Sequence, residues 1–394
     1  MRKKYPAIFI IIIPSLVVLF NIYLIMHPTD MITAAKDGLL LWFNQVLPSL
    51  LPFVVGANLL AGLGFIHFLG ALTAPIMVPL FKIPGSGAYA LLSGFTSGYP
   101  MGAKAVAYLR ETGKIQQQEA QRLIAFSNNA GPLFIVGFIG TSLFGSTKSG
   151  YILLISHITA AIVMGLVLRF FSKTSEVSTI NQKHMESSLK LAFKELLTFR
   201  QDHYKGFGQA LGTSIKNAME SMVLIGGYII VFCVLIKALE ISGLFESLNK
   251  LTGIPWLTGF VAGILEVANG AKMISQGSLP NPTTLSATAA LISFGGLSVH
   301  GQTAHFIRNI DIKIAPYLVA KCLQAVMAGA ICLFITSYVT VPTAVIGSRA
   351  MEREFFNQVI SASYDFAILI AVIMLIAFCI SLLISSVIKF LRLW

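Results

Sequence analysis

FTSGYPMGAKAVAYL, residues 95–109, interrupts one of the longest apolar stretches of the chain. Thr96, Ser97, Gly98, Tyr99, Pro100, Gly102 and Lys104 fall together, and lipid cannot satisfy the backbone groups that such a break releases. Pro100 drives Tyr99 away from helical geometry, so the spacing predicts a reversal near Thr96–Met101. Residues 85–95 as a helix cover about 16 Å, roughly half of a hydrocarbon core about 30 Å thick. The returning helix from Gly102 to Leu109 brings Arg110, Glu111 and Lys114 back to water. The stretch reads as the tip of a re-entrant helical hairpin, buried in protein at mid-membrane.

The remaining sequence supplies the membrane. Of 394 residues, 56% are hydrophobic and 11% charged, where soluble chains carry about a quarter charged. Runs free of Asp, Glu, Lys and Arg at 7–26, 38–81, 83–103, 123–147, 273–307, 322–348 and 366–388 reach about 20 residues or more, enough to cross a bilayer as helix. The alternation of a membrane β-barrel is missing. The N-terminus has basic residues and then a long apolar stretch with no small-residue cleavage site, so an uncleaved first span is expected. The four cysteines lie in or beside apolar segments without metal-ligand spacing and read as buried small hydrophobes.

Charge placement sets the topology. With 83–109 and 254–277 as re-entrant hairpins, eight spans remain, at about 7–26, 33–62, 122–147, 149–171, 212–239, 283–309, 314–338 and 364–388. Both termini are then cytoplasmic, together with most of the Lys and Arg. Reading 83–103 as an ordinary span would instead move Arg110, Lys114 and Arg122 outside. The net charge of +12 is thereby a matter of orientation, and no nucleic-acid partner is expected.

The polar stretch 172–205 divides the chain, and 186–200 within it reads as a surface amphipathic helix. Each half shows the same order of long span, short segment, hairpin, broken span and final span. Gly102-Ala103-Lys104 recurs as Gly270-Ala271-Lys272, and Leu123-Ile124-x-Phe126 recurs as Leu291-Ile292-x-Phe294 at the same offset. The expected organisation is an N-terminal transmembrane helix (1–32), a first repeat (33–171, hairpin 83–109, broken helix 122–147), and a cytoplasmic linker (172–205). A second repeat (206–338, hairpin 254–277, broken helix 283–309) and an external loop with a C-terminal transmembrane helix (339–394) follow. The hairpins start from opposite sides, so the repeats are inverted. Secondary transporters are built this way, with substrate held near the midplane between discontinuous helices.

The candidate site follows from the breaks. The first hairpin offers Thr96, Ser97, Tyr99 and Lys104, the last in the first turn of the returning helix. The second offers Glu266, Asn269 and Lys272. The first broken span contributes Ser127, Asn128 and Asn129; the second, Ser298, His300, Gln302 and Thr303. Lysine is unfavourable at a helix N-terminus, so two mirrored lysines point to a negatively charged small molecule; snorkelling or local pairing, Lys272 with Glu266, is the competing reading. Glu266 is a proton carrier, a cation ligand or an ion-pair partner. Lys321 lies deep with no assigned role. Nothing matches the spacing of a catalytic or metal site, so a non-enzymatic protein without cofactor is expected. A coupling ion, H+ or Na+, and homo-oligomerisation stay open.

SGYPMGAKAVAYL (97–109), FSNNAGPLFIVGFIG (126–140) and the mate NGAKM (269–273) with SFGGLSVHGQ (293–302) carry a family resemblance. Over about residues 35–340 the chain resembles bacterial sporulation integral membrane proteins of the YlbJ (SpoVV) type, with nucleoside-recognition Gate domains. The resemblance implies an all-α polytopic membrane protein with a fold similar to concentrative nucleoside transporters. It also implies passage of dipicolinic acid across the outer forespore membrane. Those nucleoside transporters have a Gln-Thr-Glu-like stretch at a hairpin tip; here Tyr99-Pro100-Met101-Gly102 takes its place, and Gln302-Thr303 is followed by Ala304. A cation-coupled nucleoside transporter and a non-transporting scaffold for spore assembly are the alternatives.

Overall fold

The computed structural model describes residues 7–170, 189–203, 206–277 and 280–338. Among these, every regular element is a helix. The expected span 364–388 and most of the linker lie outside the described residues. Helices α8 (Thr147–Phe170), α10 (Phe207–Ile241) and α16 (Ile314–Tyr338) are each long and apolar enough to cross a membrane. Two bent pairs raise the number of spans to at most five among the described residues. In one, α1 (Ala7–Met26) turns by 103° into the segment opened by α2 (Pro28–Leu41). In the other, α3 (Leu47–Gly62) turns by 87° into α4 (Phe65–Phe81). The chain is thus a polytopic helical membrane protein.

Helix α16 shows how the lipid sorts the side chains. Val319, Leu323 and Val326 lie on its outer face, Val326 at 71% exposure, while Tyr317, Lys321, Gln324, Ala328 and Cys332 are buried on the opposite face. A soluble helix has its apolar stripe inward; here the polar stripe is inward, because only protein can satisfy it. Cys322 follows the same rule. It is exposed, whereas Cys233 and Cys332 are buried, so the expectation of a buried thiol fails at Cys322, where the helix turns outward; Cys379 lies outside the described residues.

Two short helix pairs fold back on themselves. Helix α5 (Gly87–Ser97) reverses at Gly98–Pro100 into α6 (Met101–Glu111), within the stretch where the sequence places the turn. Helices α12 (Pro255–Leu265) and α13 (Val267–Gly277) reverse at Glu266, whose backbone is extended. Proline at the first helical position suits the start of α12. The legs approach at glycines: a Cβ on Gly94 would come within 3.5 Å of the Gly102 Cα, and one on Gly270 would collide with Gly263.

The broken helices pack against these pairs. Helix α7 (Gln117–Ser127) ends in extended backbone at Asn128, and a π-type helix resumes at Leu133–Leu143. The Ser127 carbonyl lies where a side chain on Gly94 or Gly102 would have to go. Helix α14 (Pro282–Phe294), opened by the Asn281 capping box, gives way to α15 (Gly296–Ile307) through Gly295 and Gly296 at φ 93° and 74°. Only glycine takes such angles without strain. A Cβ on Gly296 would stand 2.9 Å from the Gly263 carbonyl oxygen, so the second break abuts the second helix pair.

A polar seam ties residues 110–121 to 311–313. Arg110 donates to both Asp311 carboxylate oxygens at 2.8 Å, and Gln121 exchanges two hydrogen bonds with the Lys313 backbone, each 2.8 Å. On the edge of the bundle α9 (Leu189–His203) packs on α4, its Phe199 ring stacked on His67 at 4.6 Å.

Two outcomes test this packing. Gly102→Val should lower the thermal stability of the purified protein by about 3 kcal/mol through overpacking, whereas Gly56→Ala, with nothing within 4 Å, should leave it nearly unchanged. The Arg110 hydrogen bonds hold the Asp311 carboxyl below its ordinary 3.8. That contribution is complete above 3.8 and is lost as pH falls through the lower folded value. Asp311→Asn should flatten the acid limb of a stability profile, by a small amount because the pair is solvent-screened.

Candidate functional site

Between the two broken helices lies a buried polar centre, and Asn128 is its hub. Its side-chain oxygen accepts from the Ala103 N–H at 3.4 Å, and its amide donates to the Thr303 hydroxyl and to the Tyr317 hydroxyl, each at 2.9 Å. One side chain therefore caps α6 and joins it to α15 and α16. Asn129 donates to the Phe126 carbonyl, and its oxygen accepts from Lys321 Nζ at 3.2 Å and Gln324 Nε2 at 3.0 Å. Both asparagines are fully buried and use their hydrogen-bonding capacity on protein. They fix the break that exposed them, as buried polar groups must.

His157, from α8, bridges the two breaks. Its Nε2 accepts from the Ala130 N–H at 3.1 Å, and the other ring nitrogen, Nδ1, then carries the proton and donates to Ser293 Oγ at 2.7 Å. The pairing fixes one neutral tautomer. Sequence reasoning passed over His157. An imidazole inside an apolar span was the available signal. Tyr317, Lys321 and Gln324, spaced along one helical face, were a second.

The predicted site residues divide. Ser97, Tyr99, Ser127, Asn128, Asn129, Ser298, His300, Gln302 and Thr303 belong to the two hairpin–break junctions; Ser298 accepts from Gln302 at 3.3 Å, and Tyr99 reaches the second break at Gly295. Thr96 is exposed and donates back to the Leu92 carbonyl within α5. Glu266 is buried at the turn of the second pair, but its oxygens accept from the Ala268 and Asn269 N–H groups and from the Asn269 amide, at 2.8–3.1 Å. The carboxylate caps its own helix, α13, where the dipole favours it, and forms no ion pair with Lys272. Lys272 is exposed on α13.

Lys104 occupies a separate place. Its ammonium donates to Ser221 Oγ at 2.9 Å and to the Asn217 carbonyl at 3.3 Å, both on α10. It lines a cavity of about 340 Å³ between α3, α5, α6, α9 and α10, in which it is the single charged lining residue. Tyr89, Tyr108 and Phe199 supply aromatic surface to the same cavity. The two mirrored lysines do not face one site, because Lys104 turns inward to α10 while Lys272 turns outward.

No known family model matches the sequence, and no solved structure does. The chain is 31% identical over 333 residues to the sporulation integral membrane protein YlbJ of Bacillus subtilis, a match covering 81% of each chain.

Asn128→Ala would orphan the Ala103 N–H and remove a bond from Thr303 and Tyr317. At about 1–3 kcal/mol for each buried group left unsatisfied, thermal unfolding should show a clear loss of stability. The half-buried Asn269→Ala should lose less, because Glu266 keeps two backbone donors.

Proposed function

The chain belongs to the family of the sporulation integral membrane protein YlbJ, and on that premise we propose that it carries a small organic anion, dipicolinate, across a membrane during sporulation. The observation that carries this reading is the cavity at Lys104. Its 340 Å³ falls in the range of small-molecule pockets. One ammonium set among tyrosine and phenylalanine rings suits an aromatic carboxylate. The ammonium meets the negative charge, and the rings cover the apolar faces of a pyridine.

The same proposal covers the architecture. Eight spans and two re-entrant hairpins form an inverted repeat like that of concentrative nucleoside transporters, with Gate domains, cytoplasmic termini and the outer forespore membrane as location. Two features support it. Each half has a glycine-packed helix pair lying against its own broken helix, at Ser127 in the first and Gly296 in the second. The seam between Arg110 and Asp311 joins the end of α6 to the α15–α16 connection, both of which this topology puts on the cytoplasmic side. Transport would proceed by alternating access, the hairpin at 97–104 shifting against α10 to release Lys104 from Ser221. In a cation-coupled nucleoside carrier Glu266 would carry the cation, and its oxygens are already engaged by α13.

Uptake of labelled dipicolinate into proteoliposomes tests the proposal. Wild-type protein should accumulate the label, and Lys104→Met should slow uptake by about tenfold or more, the value of a lost charged hydrogen bond. Wild-type vesicles no faster than empty ones would sink the reading and leave a scaffold role.

A further inference from the structure

Lys321 is 2% exposed, on the inward face of α16. An ammonium has three donors; two go to neutral amide oxygens, Asn129 Oδ1 at 3.2 Å and Gln324 Oε1 at 2.8 Å. Among the described residues no carboxylate pairs with it. Burying an ammonium without a counter-charge costs several kcal/mol, and packed apolar residues would have avoided that cost. An anion from outside the described chain would offset that cost.

A second observation points to the same place. His300, 5% exposed, is held edge-on against Phe294 and Tyr317, with ring centroids 4.6 and 5.4 Å away. Both of its nitrogens are buried and have no hydrogen-bond partner. The hydroxyls of Ser97, Tyr99 and Ser127 are buried and unpartnered as well. Tyr99 comes from the turn of the first hairpin and reaches Gly295, five residues before His300. Tyr317, whose ring lies against His300, stands one helical turn before Lys321 on α16. Unused donors from the hairpin, from both breaks and from α16 thus collect at one closed centre.

We propose that this centre, with Lys321 and His300 as its principal donors, is a second and occluded station that takes a carboxylate group. One ammonium N–H, one imidazole N–H and neutral hydroxyls match the two oxygens of one carboxylate group. The first turn of α6 is the partition between this station and the Lys104 cavity. Met101 and Lys104 line the cavity, while the N–H of Ala103 between them is bound to Asn128. On the proposed route an anion released from Lys104 would pass that turn to meet Lys321. This inference rests on the transport reading for its substrate, and on the buried unpartnered groups for its site.

The test compares wild type, Lys321→Met and His300→Phe in proteoliposomes. His300→Phe keeps the ring packing and removes no hydrogen bond present in the structure, so it should fold even where Lys321→Met does not. Both variants should take up dipicolinate about tenfold more slowly or worse, with the thermal transition of His300→Phe near that of wild type. Uptake within about twofold of wild type by either folded variant overturns the station. Should wild type take up no dipicolinate, the transport reading fails by itself, and thermal stabilisation by benzoate then judges the station. Stabilisation of wild type that is lost in the folded variants upholds it; equal stabilisation, or none in any of them, overturns it.

Discussion

The hydrogen bonds of Asn128 hold the centre of this protein together. A helix broken inside an apolar bundle leaves backbone donors and acceptors that water cannot reach, and each left unpaired is costly. Asn128 answers at the first break by capping α6 and binding Thr303 and Tyr317. Asn129 and His157 extend the same solution, one to Lys321 and Gln324, the other to Ser293 across the second break. The two halves are joined through polar groups at their interior and through apolar contact around them, where Phe134, Ile139 and Leu153 pack with Ile274, Leu291 and Ile335.

That arrangement separates structural polar groups from available ones. Asn128, Asn129, Glu266 and His157 are saturated by protein, and their role is to make discontinuous helices tolerable in an apolar setting. Lys104 faces a cavity, and Lys321 and His300 retain donors that nothing described in the chain uses. Stability and function thus draw on adjacent residues of the same breaks. A substitution at Asn128 should act first on folding, and one at His300 on what the centre does.

The break at 95–109 was legible in the sequence because Pro100 and Gly98 have local consequences that no tertiary context is needed to state. The second turn, at Glu266, was legible through its recurrence. The polar face of α16 was less so. Tyr317, Lys321 and Gln324 are spread over two turns of an apolar helix, and their meaning depends on which face the bundle covers. Lys104 and Lys272 show the opposite error. Their mirrored positions read as a pair, yet equivalent places in a sequence need not face one site.

By itself, the sequence determined that this is a helical membrane protein whose apolar segments are interrupted at defined residues, since hydropathy and backbone geometry are local properties. Only the tertiary structure decided which polar groups satisfy one another. Hydrogen bonds between Asn128 and Tyr317 or between His157 and Ser293 link residues far apart in the chain, and their formation depends on how helices pack. The same packing turned the question raised by residues 95–109 from Lys104 alone to Lys104 on one side of a helical turn and Lys321 on the other.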